Sequence, residues 1–397
     1  MELAERVTSI QPSPTLAVNA KANALRAQGI EVLNFGVGQP DFGTPEHVCA
    51  EGIKAIEEGF TRYTPADGMP ELKQAVANKF KADFGLEYSI DQVIINVGGK
   101  HSGYLLCQAL VNPGDEVIVP APYWVSYPSM VILAGGTPVI VAATQENDFK
   151  LTADQVKDAI TSKTKAMFLN SPSNPTGSVY SEDELRAVAE VCAEAGVMIF
   201  SDEMYEAIVF DGLKFTATAS LSPQIFEHTV TMNGASKAYS MTGWRIGYMA
   251  GPQELIKACA KIQSQSTSNP CSIAQRAAIA ALQGPQDEVV RRCGEFAKRR
   301  DYILERLLAI AGVSCPRPTG AFYAFPNVSA YYGKKAGDQV IDGSVAMSDY
   351  LLDSVHMATV PGAAFGEDRC IRFSFATDMD TIAKGMDALE KALAALD

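Results

Sequence analysis

The sequence is short of positive charge. Its 397 residues include 33 lysines and arginines against 46 aspartates and glutamates, which gives a formal net charge of −13. Binding to a nucleic-acid backbone requires a basic face, so this balance excludes a nucleic-acid partner. An acidic chain can still contain local positive sites for small anionic ligands.

Metal-binding and disulfide patterns are also missing. The four histidines have no ligand spacing and the sequence contains no H-E-x-x-H motif, so we predict no metal site. None of the eight cysteines forms a C-x-x-C pair, and all lie scattered through apolar stretches. That distribution is typical of reduced, buried thiols in a cytosolic protein.

Long apolar runs are absent as well. No segment reaches the ~18 apolar residues that are needed to span a membrane. The first ten residues contain Glu5 and Arg6 and lack the apolar centre of a signal peptide. We therefore expect a cytoplasmic protein, although a chain from which a transit peptide has been removed looks the same.

Short apolar runs alternate with amphipathic stretches along the middle of the chain. The runs 93–97, 116–119, 138–141, 166–169 and 197–200 predict buried strands, because they are β-branched and bounded by Gly, Pro or Asp. A helix is predicted over 182–195, with Ser181 as its cap. This alternation predicts an α/β fold with a mostly parallel sheet sandwiched by helices.

The length of the chain predicts two structural units. We expect an N-terminal arm and part of a small domain over 1–40, a large domain over 41–290 and the rest of the small α/β domain over 291–397. Ligands of such sheets bind beyond the carboxyl ends of the strands. Most of the candidate site residues follow predicted strands directly.

Lys237 is the first candidate for chemistry. It lies among small residues in NGASKAYSMTGWRIGY, close to Ser236 and Arg245, which offer a hydroxyl and a fork of donors to a phosphate dianion. A lysine beside an anion site is what a tethered phosphorylated aldehyde requires. The alternative for Lys237 alone is a surface lysine on a loop.

Asp202 and Tyr205 follow the strand-like run VMIF. A carboxylate at a strand end can pair with a protonated pyridine ring, which makes that ring a better electron sink, and Tyr205 can donate to a phenolate oxygen of the ring. The alternatives are a helix-capping aspartate and an ordinary half-buried tyrosine.

Two loops and an aromatic residue extend this set. In NSPSNPTG, Asn174 can donate its amide to an oxyanion, and Gly99 and Lys100 open a helix whose amino end favours a phosphate. Trp124 follows two prolines and can stack on a planar cofactor. Each feature alone is equally compatible with a plain turn or a packed surface aromatic.

Arg372 interrupts the apolar run CIRFSFA. A buried arginine needs an anionic partner, and a substrate carboxylate and a structural salt bridge are both candidates. Taken together, these residues supply an amine, phosphate ligands, an acid for a ring nitrogen, donors to a phenol oxygen and a carboxylate receptor.

The motifs resemble those of fold-type I, class I aminotransferases that use pyridoxal 5'-phosphate, in particular the bacterial-type (subgroup Ib) aspartate aminotransferases. The resemblance runs nearly end to end, through the blocks PSPTLAVNAKANALRAQG, GVGQPDFGTPEHV, RYTPADGMPELK, PYWVSYP, NSPSNPTG, SDEMYE, ASKAYSMTGWRIGYMAGP, PTGAFYAF and IRFSFA. One departure is Gln39, where many relatives have Glu. We expect little effect on catalysis, because the neighbouring Gly38 acts through its backbone.

The resemblance implies a role for each matching residue. Lys237 is similar to the lysine that holds the cofactor as a Schiff base and shuttles the proton, and Arg372 resembles the receptor for the substrate α-carboxylate. The resemblance also implies an obligatory homodimer, in which Tyr63 reaches the partner's cofactor phosphate. Asp202 is implied as the acid on the ring nitrogen, and Asn174 and Tyr205 as donors to the phenol oxygen. Gly38 and Asn174 would assist in binding the α-carboxylate, and Trp124 would stack on the ring and contribute to substrate binding. The phosphate cup is implied for Ser236, Arg245, Gly99 and Lys100.

Substrate choice follows from the same resemblance. Thr15 and Lys100 match positions that bind a distal carboxylate, which implies aspartate and 2-oxoglutarate as substrates. Prephenate, another dicarboxylate, and aromatic amino acids remain alternatives, as does a fold-type I lyase. A non-catalytic effector-binding module is disfavoured, because the arm before the first motif is short and not basic.

Overall fold

The computed structural model describes residues 1, 3–12 and 14–397; Glu2 and Ser13, within the predicted arm 1–40, lie outside the described residues. The strands are β1 (Leu33–Asn34), β2 (Val93–Asn96), β3 (Glu116–Ala121), β4 (Thr137–Ala142), β5 (Thr164–Asn170), β6 (Met198–Asp202), β7 (Thr229–Gly234), β8 (Gly247–Ala250), β9 (Tyr323–Ala324), β10 (Lys335–Ala336), β11 (Gln339–Val340), β12 (Met357–Ala358), β13 (Val360–Pro361) and β14 (Ile371–Ser374).

The helices follow the same chain order. They are α1 (Glu5–Thr8), α2 (Pro14–Ala27), α3 (Glu46–Glu57), α4 (Pro70–Phe84), α5 (Gly99–Leu110), α6 (Tyr127–Leu133), α7 (Ala153–Ala159), α8 (Glu182–Glu194), α9 (Pro223–Glu227), α10 (Gln253–Ser266), α11 (Ser272–Gln283), α12 (Asp287–Ala309), α13 (Ser344–Val355) and α14 (Met379–Ala394). The predicted cap of α8 is present, since Ser181 and Glu184 form a capping box.

The central sheet has seven strands in the order β2-β8-β7-β6-β5-β3-β4. Only β8 runs against the others, because it pairs antiparallel with both β2 and β7. Strands β7 and β8 were not among the predicted runs. The prediction of a buried strand over 138–141 is wrong in part: β4 is the edge strand, and its Ile140 is 45% exposed.

The chain ends combine in a second set of strands. β13, β14 and β9 form an antiparallel sheet, and β1 pairs in parallel with β12, so the segment after α2 packs with the C-terminal residues. Phe35 meets Phe373 edge to face, with their ring centroids 5.4 Å apart. The long helix α12 leads from the large sheet into this core through Phe296, Ile303 and Leu307.

The cysteines are free throughout the described residues, but they are not uniformly buried. Cys271 is exposed, and Cys49 and Cys293 are intermediate, so the expectation of buried thiols is wrong at these positions. No group of His, Cys, Asp and Glu among the described residues is arranged to hold a metal ion. Within the same residues, no helix has both the length and the apolarity to cross a membrane.

Candidate active site

A cavity of about 320 Å³ opens at the carboxyl edge of the large sheet. Strands β5, β6 and β7 end there, and the strand-to-helix turn after β2 opens into it. The cavity brings together every predicted site residue except Tyr63. The predicted residues in its wall are Thr15, Gly38, Gly99, Lys100, Trp124, Asn174, Asp202, Tyr205, Ser236, Lys237, Arg245 and Arg372.

Lys237 lies on the turn that follows β7. Its Nζ donates a hydrogen bond to the Gly38 carbonyl oxygen over 2.6 Å. Burial, together with the positive charges of Arg372 and Arg245, lowers the pKa of Lys237 to about 8. At this pKa about a tenth of the amine is neutral, and nucleophilic, at pH 7, far more than for an ordinary lysine.

Asp202 is the last residue of β6. Its Oδ2 accepts a hydrogen bond from the Tyr127 hydroxyl at 2.6 Å, and its Oδ1 accepts one from the Met204 amide at 3.2 Å. Burial raises the pKa of Asp202, and the hydrogen bond from Tyr127 opposes that rise. A cationic ring nitrogen would favour the ionised carboxylate further.

The turn before α5 brings several hydrogen-bond donors together. Gly98 has φ +82°, and a side chain at this residue would overlap the guanidinium of Arg245. Arg245 donates to the carbonyl oxygens of Thr242 at 2.8 Å and Val97 at 3.2 Å. Ser236 is 6% exposed beside Lys237. The amino end of α5 adds backbone N–H groups and a favourable dipole to these donors.

Arg372 is almost fully buried in β14. Its Nη1 donates to the side-chain oxygen of Asn174 at 2.9 Å, and its Nη2 donates to the Gly36 carbonyl at 2.8 Å. The guanidinium lies 4.6 Å from the ring centroid of Tyr323. Its Nε has no hydrogen-bond partner in the described part of the chain. Because no carboxylate of that part pairs with it, the salt-bridge alternative loses its support.

Lys100 and Trp124 line another part of the cavity. The Lys100 Nζ lies 5.0 Å from the Trp124 ring centroid, and partial burial together with Arg245 lowers the pKa of Lys100. Thr15 and Leu16, in the first turn of α2, also line the cavity.

The charge of this cavity is opposite in sign to that of the chain. It is lined by four cations, Lys100, Lys237, Arg245 and Arg372, and by one carboxylate, Asp202. Over the described residues, none of these four cations forms an ion pair within 4.0 Å. Such an excess of unpaired positive charge favours ligands with several negative groups.

Sequence reasoning missed two tyrosines of the site. Tyr127 supports Asp202, and the Tyr323 hydroxyl is 2.8 Å from that of Tyr205. Both lie in blocks that carry the family resemblance, PYWVSYP and PTGAFYAF. The sequence around a tyrosine in an apolar run does not indicate which group its hydroxyl contacts. A Cβ added to Gly38 would lie 2.9 Å from the Tyr323 hydroxyl, so a larger residue here would require the Tyr323 side chain to shift.

Tyr63 is the one predicted site residue that lies outside the cavity. It sits between α3 and α4 and is 92% exposed. Its implied role on a partner's cofactor concerns a second chain, so it remains a prediction.

The chain is similar to known proteins over its whole length. The family model described as "Aminotransferase class I and II" matches residues 30–389. An aspartate aminotransferase of Geobacillus stearothermophilus is 48% identical over all of both chains, and an aspartate/prephenate aminotransferase of Cereibacter sphaeroides is 51% identical over 94% of each.

Solved structures give the same result. The aspartate aminotransferase of Rhizobium meliloti superposes with a TM-score of 0.96 and 43% identity over all of both chains. That of Thermus thermophilus with maleate has a TM-score of 0.92 and 41% identity, covering 99% of this chain and all of that one. The expectation of fold type I is confirmed.

Proposed function

This chain belongs to the class I and II aminotransferases, and on that premise we propose that it transfers the amino group of aspartate to 2-oxoglutarate. It is an enzyme that uses pyridoxal 5'-phosphate, as members of this family do. The observation that carries the substrate proposal is a set of four cations around one cavity of an acidic protein, none of which forms an ion pair with the residues that the structure describes.

The residues of the cavity fit the cofactor. Arg245, Ser236 and the amino end of α5 would hold its phosphate, and Gly98 leaves the room that a side chain would fill. Asp202 would pair with the ring nitrogen, and Tyr205 and Asn174 would donate to the phenolic oxygen. When bound, the cofactor supplies an aldehyde and an electron-withdrawing ring that stabilises negative charge on the substrate α-carbon.

Lys237 is the residue to which we assign both cofactor attachment and proton movement. Its pKa of about 8 leaves the amine able to accept a proton and to return it near neutral pH. The Gly38 carbonyl, 2.6 Å from Nζ, gives the free amine a fixed resting position. The Tyr127 hydroxyl would favour the ionised form of Asp202 and fix the orientation of its carboxylate.

Two groups of residues would bind the two carboxylates of the substrate. Arg372, oriented by Asn174 and Gly36, would take the α-carboxylate through its guanidinium fork. Lys100 and Thr15, which line the same cavity, would take the distal carboxylate. A monocarboxylic amino acid satisfies only the first of these sites.

Prephenate is the second candidate acceptor. It carries two carboxylates, and the Cereibacter sphaeroides relative with 51% identity is named an aspartate/prephenate aminotransferase. The same two cationic sites would receive it. Prephenate differs from the acyclic 2-oxoglutarate by its ring, which would have to fit beside Leu16 and Val125 of the cavity lining.

A substrate panel tests the proposal. The purified protein should absorb as a lysine-bound pyridoxal enzyme, and it should turn over aspartate faster than alanine or phenylalanine. Lys100→Ala should lower kcat/KM for aspartate far more than for alanine, whereas the exposed Lys298→Ala should change neither. Unchanged aspartate turnover in Lys100→Ala would refute the distal-carboxylate assignment. Pyruvate and ammonia formed without an acceptor would identify a lyase.

Homodimer formation, a cytoplasmic location and the domain limits 1–40, 41–290 and 291–397 are also part of the proposal. The dimer is supported by Tyr63, whose exposed side chain reaches no described cavity of its own subunit. Ile53 and Ile56 of the preceding helix α3 are 57% and 58% exposed, which provides apolar surface for a second copy.

A further inference from the structure

Three arginines of α12 recur at intervals of seven residues. Arg292, Arg299 and Arg306 therefore lie on one stripe of the helix, because seven residues make nearly two turns. Each binds a different part of the chain. Arg306 pairs with Asp387 on α14, whereas the first two reach loops of the active site.

Arg299 holds the loop that carries Gly38. Its two terminal nitrogens donate to the two oxygens of Asp41 at 2.8 and 2.9 Å, and its side chain is 8% exposed. Phe42, the next residue, lies 5.0 Å from the Arg299 guanidinium and 5.4 Å from the Phe296 ring. A partly buried bidentate pair of this kind fixes both the position and the angle of the loop.

Arg292 holds the loop that carries Lys237. Its Nη1 donates to the Ser240 hydroxyl at 3.1 Å, three residues after Lys237. The Ser240 carbonyl in turn accepts from the Thr44 hydroxyl at 2.9 Å. One face of one helix therefore bonds to both loops, and the loops bond to each other.

We propose that Arg299, acting through Asp41, is a positioning residue that keeps the Gly38 carbonyl against the Lys237 amine. Arg299 touches neither of these two groups, so its effect passes through the loop 38–41. The inference extends the proposed role of Lys237 and rests on it. No part of it depends on which amino acid the enzyme uses.

The charge environment of Lys237 allows a specific test. The charged groups that face it are Arg372 on β14, Arg245 before β8, Asp202 on β6 and Lys100 on α5. Arg299 forms its side-chain hydrogen bonds with Asp41 and with none of these four in the described structure. Removing a cation by itself would raise the pKa of Lys237, whereas withdrawing the Gly38 carbonyl would remove an acceptor from the ammonium form and lower it.

The experiment measures the rate at which Lys237 of the full-length, cofactor-free chain condenses with pyridoxal 5'-phosphate as a function of pH. Lys237→Ala supplies the background. In Arg299→Met, the midpoint should fall by about one pH unit, as expected for loss of a hydrogen bond to a charged group. Arg299→Lys keeps the charge but loses the fork of donors, so its midpoint should fall by less than that of Arg299→Met.

Arg306→Met is the matched control on the same stripe. It removes a cation and an ion pair of α12 without touching either loop, so its midpoint should not fall. A lower melting temperature of Arg299→Met with an unchanged or raised midpoint would show a purely structural role and overturn the proposal. If Arg299→Met does not fold, Arg299→Lys alone must show a lowered midpoint. Absence of condensation at Lys237 in the wild type would instead refute the role of Lys237.

Discussion

The side-chain oxygen of Asn174 accepts a hydrogen bond from Nη1 of Arg372 over 2.9 Å, although 198 positions separate the two residues in the chain. The contact joins the loop after β5 to a strand of the C-terminal sheet. It orients the guanidinium. The remaining N–H donors of Arg372 can therefore meet a carboxylate in one fixed geometry.

Arg372→Lys should weaken binding of every substrate through its α-carboxylate. Lysine keeps the charge but cannot form the fork, so KM should rise for both the amino acid and the 2-oxo acid. We expect kcat/KM to fall about 10- to 100-fold, as for loss of a hydrogen bond between charged groups. Steady-state kinetics with each substrate measure this. Arg369→Lys, at an exposed neighbouring arginine paired with Glu367, is the control and should have no effect. Equal kinetics in both variants would contradict the assignment.

Tyr127→Phe should shift the pH dependence of the enzyme. The Tyr127 hydroxyl lowers the pKa of Asp202, so its removal raises that pKa. Because Asp202 must be ionised to pair with a cationic ring, the acid limb of kcat/KM should move to higher pH, by about one unit. Tyr104→Phe on α5 is the control. An acid limb that stays in place would show that Asp202 is not the group that titrates.

Glu203→Gln should stabilise the cofactor-free chain at alkaline pH. Burial raises the pKa of Glu203 to about 7 from its ordinary 4.5, so the folded chain binds this proton more tightly than the unfolded chain does. Stability from this group is full below pH 4.5 and is lost as the pH rises to about 7. The loss approaches about 3 kcal/mol, the product of the shift and 1.36 kcal/mol per unit.

Thermal or denaturant unfolding at pH 5 and pH 8 measures this difference. The variant should unfold at a higher temperature than the wild type at pH 8 and close to it at pH 5. Glu227→Gln, at an exposed glutamate, should follow the wild type at both values. A Glu203→Gln protein that is no more stable at pH 8 would contradict the buried-acid interpretation.

Subunit mixing tests the proposed sharing of active sites. Tyr63→Phe should weaken cofactor binding, and Lys237→Ala should be inactive. A heterodimer of these two chains contains one site with both native residues only if Tyr63 acts across the interface. Mixing should therefore raise activity above that of the Tyr63→Phe dimer alone. Activity that is merely the sum of the separate variants would place Tyr63 outside the partner's site.

The sequence predicted the large sheet best where strands are short, apolar and buried. Strands β2, β3, β5 and β6 lie within a few residues of their predicted bounds because burial on both faces leaves a continuous apolar run. β7 was missed because TVTMNG reads as polar, yet all six of its residues are buried. β8, in the glycine-flanked run GYMA, gave no sign that it reverses direction.

Site residues could be predicted where the chemistry needs an unusual residue type at a strand end. Lys237 and Asp202 meet that condition, and Arg372 could be predicted because it interrupts a buried apolar strand. Tyr127 and Glu203 could not be found this way, because their roles depend on contacts with residues far along the chain or on burial alone. The α12 arginines read in sequence as an ordinary charged helix face, and only packing shows which loops they bind.

Covalent capture of the cofactor tests the central claim most directly. The Schiff base of the purified protein is reduced with borohydride and the protein is digested. The masses of its peptides are then measured by mass spectrometry. We predict a pyridoxyl-phosphate adduct on the peptide that contains Lys237, and none in Lys237→Ala. An adduct on Lys100 or another lysine, with Lys237 unmodified, would contradict the account.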